Sequence, residues 1–315
     1  MRALLVLALF LPLATFGQYP AKSVRLVIPF PPGGATDIIG RVVSQKLAAQ
    51  LGHPVVVDNR PGAGGTIGSD LVAKAAPDGY TLLISTNSTH AVAPVLSKPP
   101  YDAVRDFSPI TLLAHSANIL VVSPQLGVSS VQELIAAAKA KPGALAFASS
   151  GNGTIIHLTG EMFKQMAGVD LLHVPYKGTA LSMPDLASGR VSILFDNIVS
   201  AQPHLRSGTV KALAVTTQKR SALMPELPTM IEAGVPGFES SAWFALFGPA
   251  ALPNAIRSRI HEAAVASLNA PDARERLAGA GAETSGEGGA ELTRLILADM
   301  AKWAQVVKSA NIKAD

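Results

Sequence analysis

Short apolar runs alternate with segments of helical periodicity along most of the chain. The runs are rich in Val, Ile and Leu and predict strands at 24–28, 55–57, 81–84, 119–122, 145–148, 191–195 and 212–216. Apolar residues recur at helical spacing in the segments 38–47, 131–140, 154–166 and 292–307. Strands that alternate with helices in this way predict an α/β protein with largely parallel sheets.

Two zones rich in Pro and Gly, residues 97–108 and 225–238, interrupt this alternation. The middle third of the chain carries its own set of strands and helices. A chain of this length has room for about two domains of ~150 residues, each with its own core. We therefore expect two lobes, although the pattern leaves open how often the chain crosses between them.

The first 17 residues have the pattern of an export signal. A positively charged start, Met1-Arg2, precedes an apolar run over residues 3–10, and small residues at 15 and 17 suit cleavage before Gln18. This apolar run is too short for a membrane-spanning helix, which needs about 20 apolar residues. We expect export and removal of residues 1–17. An uncleaved amphipathic or buried segment is the alternative.

Composition excludes several classes of protein. The chain has 315 residues, of which 48% are hydrophobic and 15% charged, so it is too apolar for a disordered protein. It has no Cys, which excludes disulfides, Cys-ligated zinc, iron–sulfur clusters and a thiol nucleophile. The formal net charge is only +4 and no run of Lys or Arg concentrates it, so the pattern does not favour nucleic-acid binding.

Two strand-to-helix junctions have the residue types of an anion site. Residues 29–37 read PFPPGGATD, and glycines there let the backbone approach a ligand next to the unpaired amides of the following helix. Residues 148–154 read ASSGNGT and add hydroxyl groups, with His157 one turn into the next helix. Helix N-termini attract anions, but ordinary helix capping by Thr36, Asp37 or Thr154 explains the same residues.

Asp196 is a further candidate, because it follows an apolar strand and so lies where α/β sheets present ligand contacts. Helix capping is again the alternative. The motifs of several enzymes are missing or weak. Residues 62–68 are glycine-rich but have Ile67 where the dinucleotide pattern needs glycine, and neither a P-loop nor Gly-x-Ser-x-Gly occurs. The seven histidines are scattered, which disfavours a metal site, and Ser150 with His157 is a weak candidate for a dyad.

Ordered motifs over nearly all of the chain after residue 17 resemble one known family, the Bug-type solute receptors of tripartite tricarboxylate transporters. They are RLVIPFPPGG at 25–34, VVVDNRPGAGG at 55–65, APDGYT at 76–81, PYD at 100–102, SSGNGT at 149–154, HVPYKG at 173–178, FD at 195–196 and PGF at 236–238. These matches are specific to the family and uninformative about the ligand. Residues 180–184 depart from the family's usual Ala-Pro-Ala-rich turn, which puts the second half of the pocket in doubt.

The resemblance implies the two-lobed, type II periplasmic-binding-protein architecture, also called a Venus flytrap, with the ligand between the lobes. It implies that residues 18–122 form the first part of lobe one, that 123–224 form lobe two, and that 225–315 return to lobe one. It also implies that the two glycine-rich junctions grip carboxylate groups from opposite lobes through amides, hydroxyls and water. The segment 243–245 either reaches this cleft or packs at the hinge.

The ligand contacts that the resemblance implies come from both lobes. In lobe one they are Phe30, Gly34, Ala35, Thr36 and Asp37, with Thr86, Asn87 and His90 after a later strand. In lobe two they are Ser149, Ser150, Gly153, Thr154, His157, Tyr176 and Asp196.

The implied function is capture of a small carboxylate in the periplasm and its delivery to the membrane permease subunits of a tripartite tricarboxylate transporter. We expect no catalytic residue, no cofactor and no metal. Nucleic acid is not an expected partner, and the expected state is a monomer. Aliphatic acids, aromatic acids and amino acids all stay open as ligands. An exported hydrolase-like enzyme, or a receptor that senses its ligand without transport, are the alternatives.

Overall fold

The computed structural model describes residues 19–309 and 312. The predicted export signal at residues 1–17 and its cleavage before Gln18 lie outside the described residues. Within the described part, no helix is both long and apolar enough to cross a bilayer.

The chain begins with the strands and helices of what we call the first lobe. They are β1 (Val24–Ile28), α1 (Ala35–Leu51), β2 (Val55–Asn59), α2 (Thr66–Ala73), β3 (Thr81–Thr86), α3 (Ala93–Leu96) and the first part of β4 (Phe107–Val122). β1 pairs in parallel with β2 on one side and β3 on the other. Four of its five side chains are buried, which explains why its sequence, VRLVI, is an almost continuous apolar run.

The middle of the chain forms what we call the second lobe. It consists of the last part of β4 with α4 (Val131–Ala140), β5 (Ala146–Ser149), α5 (Ile155–Ala167), β6 (Leu172–Pro175), α6 (Thr179–Ala187), β7 (Ile193–Asn197), α7 (Ile198–Arg206) and β8 (Lys211–Val215). β5 pairs in parallel with both β6 and β7. The carboxyl ends of these three strands therefore meet at one edge, where α5, α6 and α7 begin.

The last part of the chain returns to the first lobe. It forms β9 (Ser241–Pro249), α8 (Asn254–Asn269), α9 (Pro271–Ala280), β10 (Ala282–Thr284) and α10 (Gly289–Ser309). β9 lies between β3 and β4, and β10 pairs with β4 at residues 114–116. The chain boundaries expected for the lobes, at residues 122 and 224, stay predictions.

β4 joins the lobes. Its first part pairs with β9, and its last five residues, 118–122, pair with β7 and lie beside β8. All of these pairings, and that of β10, are antiparallel. The expectation of largely parallel sheets therefore holds among β1–β3 and β5–β7 but is wrong at β4 and β9. The chain leaves the first lobe along β4 and returns to it along β9, so these neighbouring strands run in opposite directions.

Each lobe has its own hydrophobic core. Leu26, Ile39 and Leu82 lie in a first-lobe cluster under α1, and the second-lobe cluster includes the mutually contacting rings of Phe163, Phe195 and Phe238. α10 reaches both lobes. Its Leu292 and Ile296 pack with β3 and β9, whereas Trp303, two turns further on, is buried in the second-lobe cluster.

Candidate functional site

A cavity of about 470 Å³, including its mouth, lies between the two lobes. We call it the interlobe cavity. Its walls come from the carboxyl ends of strands and from the helices that follow them. This is the position at which α/β sheets usually bind ligands.

The β1–α1 junction forms the first-lobe wall. Phe30, Gly34, Ala35 and Thr36 all line the interlobe cavity. α1 begins at Ala35 with Gly34 as its N-cap, and among the described residues no side chain caps it. The Asp37 and Ile38 amides both donate to the Gly34 carbonyl at 3.0 Å, so the first-turn amides left for a ligand are those of Ala35 and Thr36.

Asp37 does not line the cavity but holds this junction in place. Its Oδ2 accepts from the Gly33 amide at 3.0 Å and from Arg41 Nε at 2.9 Å. Its Oδ1 accepts from Asn59 Nδ2 at 3.0 Å. Burial alone would raise the pKa of Asp37, but the hydrogen bonds from Arg41, Gly33 and Asn59 outweigh it and hold that pKa below its ordinary value.

The end of β3 and the two residues that follow it add the polar side chains of Thr86, Asn87 and Ser88 to the first-lobe wall. Asn87 is anchored because its Nδ2 donates to the Ser241 carbonyl at 2.8 Å. Ser88 reaches the opposite lobe, where its Oγ accepts from the Ile155 amide at 3.1 Å. This hydrogen bond joins the two walls directly.

His90, expected at the site, lies in the core instead. It is fully buried, stacks on Phe247 with ring centroids 4.2 Å apart, and contacts Phe107. Its Nδ1 lies 2.8 Å from Ser85 Oγ. Burial lowers its pKa to about 3, so the ring is neutral and serves packing.

The second-lobe wall is formed by the starts of α5, α6 and α7. Ser150 lines the cavity together with residues 155–156, 178–180 and Asn197. Gly178 is the N-cap of α6 and Asn197 that of α7, and within the described chain neither helix has a side-chain cap. Thr154 caps α5, since its Oγ1 accepts from the His157 amide at 3.4 Å.

Several expected second-lobe residues hold the Ser150 loop rather than line the cavity. Ser149 Oγ lies 2.7 Å from His173 Nε2 and accepts from the Gly151 amide at 3.1 Å. The Gly153 amide donates to His157 Nδ1 at 3.2 Å, and the His157 ring stacks on His173 with centroids 4.0 Å apart. Burial, and to a smaller extent Lys164, lowers the pKa of His157 to about 4, which keeps that acceptor nitrogen free of a proton.

Tyr176 and Asp196 also lie outside the lining. Tyr176 Oη donates to Asp185 Oδ2 at 2.7 Å, and burial together with this carboxylate raises its pKa to about 12. Asp196 is fully buried behind the starts of α6 and α7, and its Oδ1 accepts from the Asn197 amide at 2.9 Å. Burial, only partly offset by hydrogen bonds, raises its pKa to about 6.

Sequence reasoning missed part of the lining. The residues it did not name as ligand contacts are Pro31, Ser88, Ile155, Ile156, Gly178, Thr179, Ala180, Asn197 and Ala242. The starts of α6 and α7 had a usable signal, because both follow short strands at the same edge as β5. Of the segment 243–245, Phe244 lines the cavity, whereas Trp243 turns away and donates from Nε1 to Asp299 Oδ2 at 2.8 Å.

Electrostatically, the interlobe cavity attracts anions without using a cationic side chain. Among the described residues, four helices (α1, α5, α6 and α7) begin at its wall, and no Lys, Arg or His lines it. Each helix N-terminus carries a partial positive charge, because the amides of its first turn are not paired with carbonyls of the helix itself in the way that later amides are. Between them, Phe30, Ile156 and Phe244 supply an apolar surface. The cavity thus suits a small molecule with at least one anionic group and an apolar body.

No group of three or more His, Asp or Glu side chains that could hold a metal ion occurs in the part of the chain that the structure describes.

The sequence model of the family described as "Tripartite tricarboxylate transporter family receptor" matches residues 39–312, most of the chain. This chain belongs to that family. Of similar solved structures, the periplasmic binding protein BugD is 34% identical and superposes with a TM-score of 0.91 over 94% of this chain and 100% of its own. These findings confirm the resemblance to Bug-type receptors and the predicted α/β, two-lobed periplasmic-binding-protein fold.

Two further family-like structures contain ligands. A protein from R. palustris with adipate is 38% identical, with a TM-score of 0.91 over 94% of this chain and 99% of its own. MatC from Rhodopseudomonas palustris, with bound malate, is 33% identical, with a TM-score of 0.89 over 92% of this family member and 100% of its own chain.

Proposed function

We propose that this family member is a receptor that captures a small carboxylate in the interlobe cavity. The observation that carries the proposal is the convergence of the N-termini of α1, α5, α6 and α7 on a cavity whose described lining has no cationic side chain. Adipate and malate, found in the two similar structures, are both small carboxylates. The ligand class agrees with this geometry.

Neutral donors suffice for such a ligand. A hydrogen bond to a charged group contributes about 1.5–3 kcal/mol, and four or five of them leave roughly micromolar affinity after the costs of ordering and association. The amides at Ala35 and Thr36 and the Ser150 hydroxyl are the donors that we assign to the carboxylate oxygens. Phe30, Ile156 and Phe244 pack against the apolar part of the acid.

The receptor acts outside the cytoplasm. Residues 1–17 have the pattern of a cleaved export signal, and BugD is a periplasmic binding protein. We assign it the role of a monomeric carrier that delivers its acid to the membrane permease of a tripartite tricarboxylate transporter, in keeping with the family's description. It needs no cofactor for this.

The geometry does not favour a hydrolase. In the candidate pair of Ser150 and His157, the imidazole Nδ1 is occupied by the Gly153 amide. Ser149 does contact an imidazole nitrogen, that of His173, but its side chain is completely buried and out of reach of a substrate. We therefore assign no catalytic step to these hydroxyls.

A panel of acids tests the proposal. Small mono- and dicarboxylates are each compared with the corresponding neutral amide in a thermal-shift assay. We expect one or more acids to raise the melting temperature, because a ligand that binds only the folded state stabilises it. The amides are expected to have no effect. Equal shifts by an acid and its amide, or no shift by any acid, would contradict a carboxylate site.

Replacing Ser150 tests the second-lobe half of the site. Ser150→Ala removes one hydroxyl donor, and we expect the acid with the largest thermal shift to bind roughly tenfold to a hundredfold more weakly, measured by calorimetry. The control is Ser207→Ala, which removes an exposed second-lobe hydroxyl that donates to the His204 carbonyl. Unchanged affinity in Ser150→Ala removes this loop from the site.

A further inference from the structure

Glycines lie at two close contacts between the lobes. A Cβ atom built on Gly178 of the second lobe lies 2.5 Å from Pro31 Cγ and 2.7 Å from Pro31 Cδ of the first lobe. A Cβ atom on Gly64 of the first lobe lies 2.8 Å from the Asn152 carbonyl oxygen of the second. Real Cβ atoms essentially never approach other heavy atoms within 3.0 Å. At both contacts the observed distance between the lobes requires glycine.

The groups that an added Cβ atom would meet on the opposite lobe are rigid. Pro31 presents ring atoms that its own backbone holds in place, and Asn152 presents a backbone oxygen. Gly40 differs, since a Cβ there meets Ile28 Cδ1, the end of a flexible side chain that can move aside. A side chain at position 178 is therefore accommodated only if the lobes move apart.

Backbone conformation does not explain the glycine at position 178. Gly178 has φ 167° and ψ 154°, an extended conformation that any residue adopts. Gly64, with φ 63°, lies in the left-handed region, so that glycine is required by its backbone as well. Gly178 is thus the position at which the lobe contact alone accounts for the missing side chain.

We propose that Gly178 determines how closely the lobes approach, acting as a steric gate against Pro31. Without a side chain there, the lobes reach the distance at which the Ile155 amide bonds Ser88 Oγ and the helix N-termini surround the cavity. Any larger residue holds the molecule open. The inference rests on the proposed function insofar as a receptor has to open in order to load its ligand.

A disulfide trap tests the gate without any ligand. The chain has no Cys, and a Cβ atom on Gly33 lies 3.5 Å from the Ala180 Cβ across the mouth. That separation suits a disulfide, whose Cβ atoms lie about 3.5–4.5 Å apart. The reference protein carries Gly33→Cys and Ala180→Cys, and its rate of disulfide formation under a fixed oxidant reports how often the lobes meet. Gly33 has φ 87°, and any strain there is common to all the proteins compared.

In this background Gly178→Ala is expected to slow disulfide formation roughly fivefold or more, because overpacking a rigid contact typically destabilises the packed state by about that factor or more. The control is Gly279→Ala in α9, where nothing in the described structure lies within 4 Å of the added Cβ. It should leave the rate unchanged. Adding Pro31→Ala to Gly178→Ala removes the obstructing ring atoms and should restore the rate.

Every other outcome contradicts the proposal that Gly178 and Pro31 form a steric gate. Equal rates in Gly178→Ala and the reference show that the contact does not limit closure, and a reference that forms no disulfide shows that these surfaces do not meet. Absence of rescue by Pro31→Ala assigns the effect to a local distortion. A Gly178→Ala protein with an altered circular dichroism spectrum contradicts the claim that alanine fits this backbone. Since no acid is added, failure of the carboxylate proposal is seen in the thermal-shift panel and not here.

Discussion

At the scale of single residues, titratable side chains near the interlobe cavity form hydrogen bonds to the loops that line it and do not line it themselves. Asp37 gathers the Gly33 amide and Asn59 around the first-lobe junction. His157 accepts from the Gly153 amide and fixes the second-lobe loop. Because Asp37 and His157 have pKa values well below 7, the two loops that they hold keep these hydrogen bonds without a change of protonation near neutral pH.

Asp196 provides a pH-dependent prediction. Its pKa, about 6 in the folded protein, lies above the ordinary value of 3.8, so folding favours the protonated acid. The stability that this group contributes is present below pH 3.8 and is lost as the pH rises towards 6. We expect the melting temperature of Asp196→Asn to rise relative to the parent protein between pH 4 and pH 7, measured by calorimetry.

Asp185→Asn is the matched control. Tyr176 and Arg190 hold the pKa of the half-buried Asp185 below 3.8, so its ionisation is nearly complete above pH 5 in both the folded and the unfolded state. Its difference from the parent should stay constant from pH 5 to pH 7, a range in which Asp196 still titrates. A pH-independent difference for Asp196→Asn as well would show that its carboxyl is not held protonated by burial.

At the scale of elements, the site depends on where helices begin. β5, β6 and β7 run in parallel, so α5, α6 and α7 all start at the same edge, opposite the start of α1. The macrodipole acts within the first turn of a helix. A change that loosens a first turn should therefore affect binding, whereas the same change in a helix elsewhere should affect stability alone.

Two helix caps test this. Thr154→Ala removes the cap of α5 and the bond from Thr154 Oγ1 to the Gly151 carbonyl, 2.8 Å long. Ser130→Ala removes the cap of α4, in which Ser130 Oγ accepts from the Glu133 amide at 3.1 Å. Each substitution should lower the free energy of unfolding, measured by urea denaturation, by about 1 kcal/mol. Only Thr154→Ala should weaken acid binding, and equal affinities of the two variants would argue against a role for the α5 start.

At the scale of the whole molecule, shared elements tie the lobes together. β4 contributes to the sheet of both lobes, and α10 packs on both cores. Opening of the lobes therefore has to occur around continuous secondary structure. The same continuity predicts that neither lobe unfolds without the other.

The two tryptophans of the chain report on different lobes. Trp243 is buried beside β3 and β4, and Trp303 is buried in the second-lobe cluster. Trp303→Phe leaves the first-lobe reporter and Trp243→Phe leaves the second. In each variant we expect the urea midpoint seen by fluorescence to equal that seen by far-ultraviolet circular dichroism, as in two-state unfolding. Separate midpoints would show that the lobes unfold independently.

The pattern of apolar and polar residues predicted those strands and helices whose periodicity lies within a single short segment. The strand at 24–28 and the helix at 131–140 coincide with β1 and α4. The sequence pattern did not predict β9. All but its first residue are buried, so apolar and polar residues do not alternate along it as they do in a half-buried strand. His90 was assigned to the site from its position after β3, and the ring instead packs on Phe107 and Phe247, more than 15 residues away in sequence.

The sequence by itself determined the α/β class, the family, and the two glycine- and hydroxyl-rich junctions, because each depends on neighbouring residues and their spacing. Tertiary structure alone decided that the starts of α6 and α7 join those junctions around one cavity, and that Gly178 faces Pro31. The contact between Gly178 and Pro31 joins residues more than a hundred positions apart in the chain. No local preference specifies such contacts, since they follow from how β4 and α10 hold the two lobes against each other.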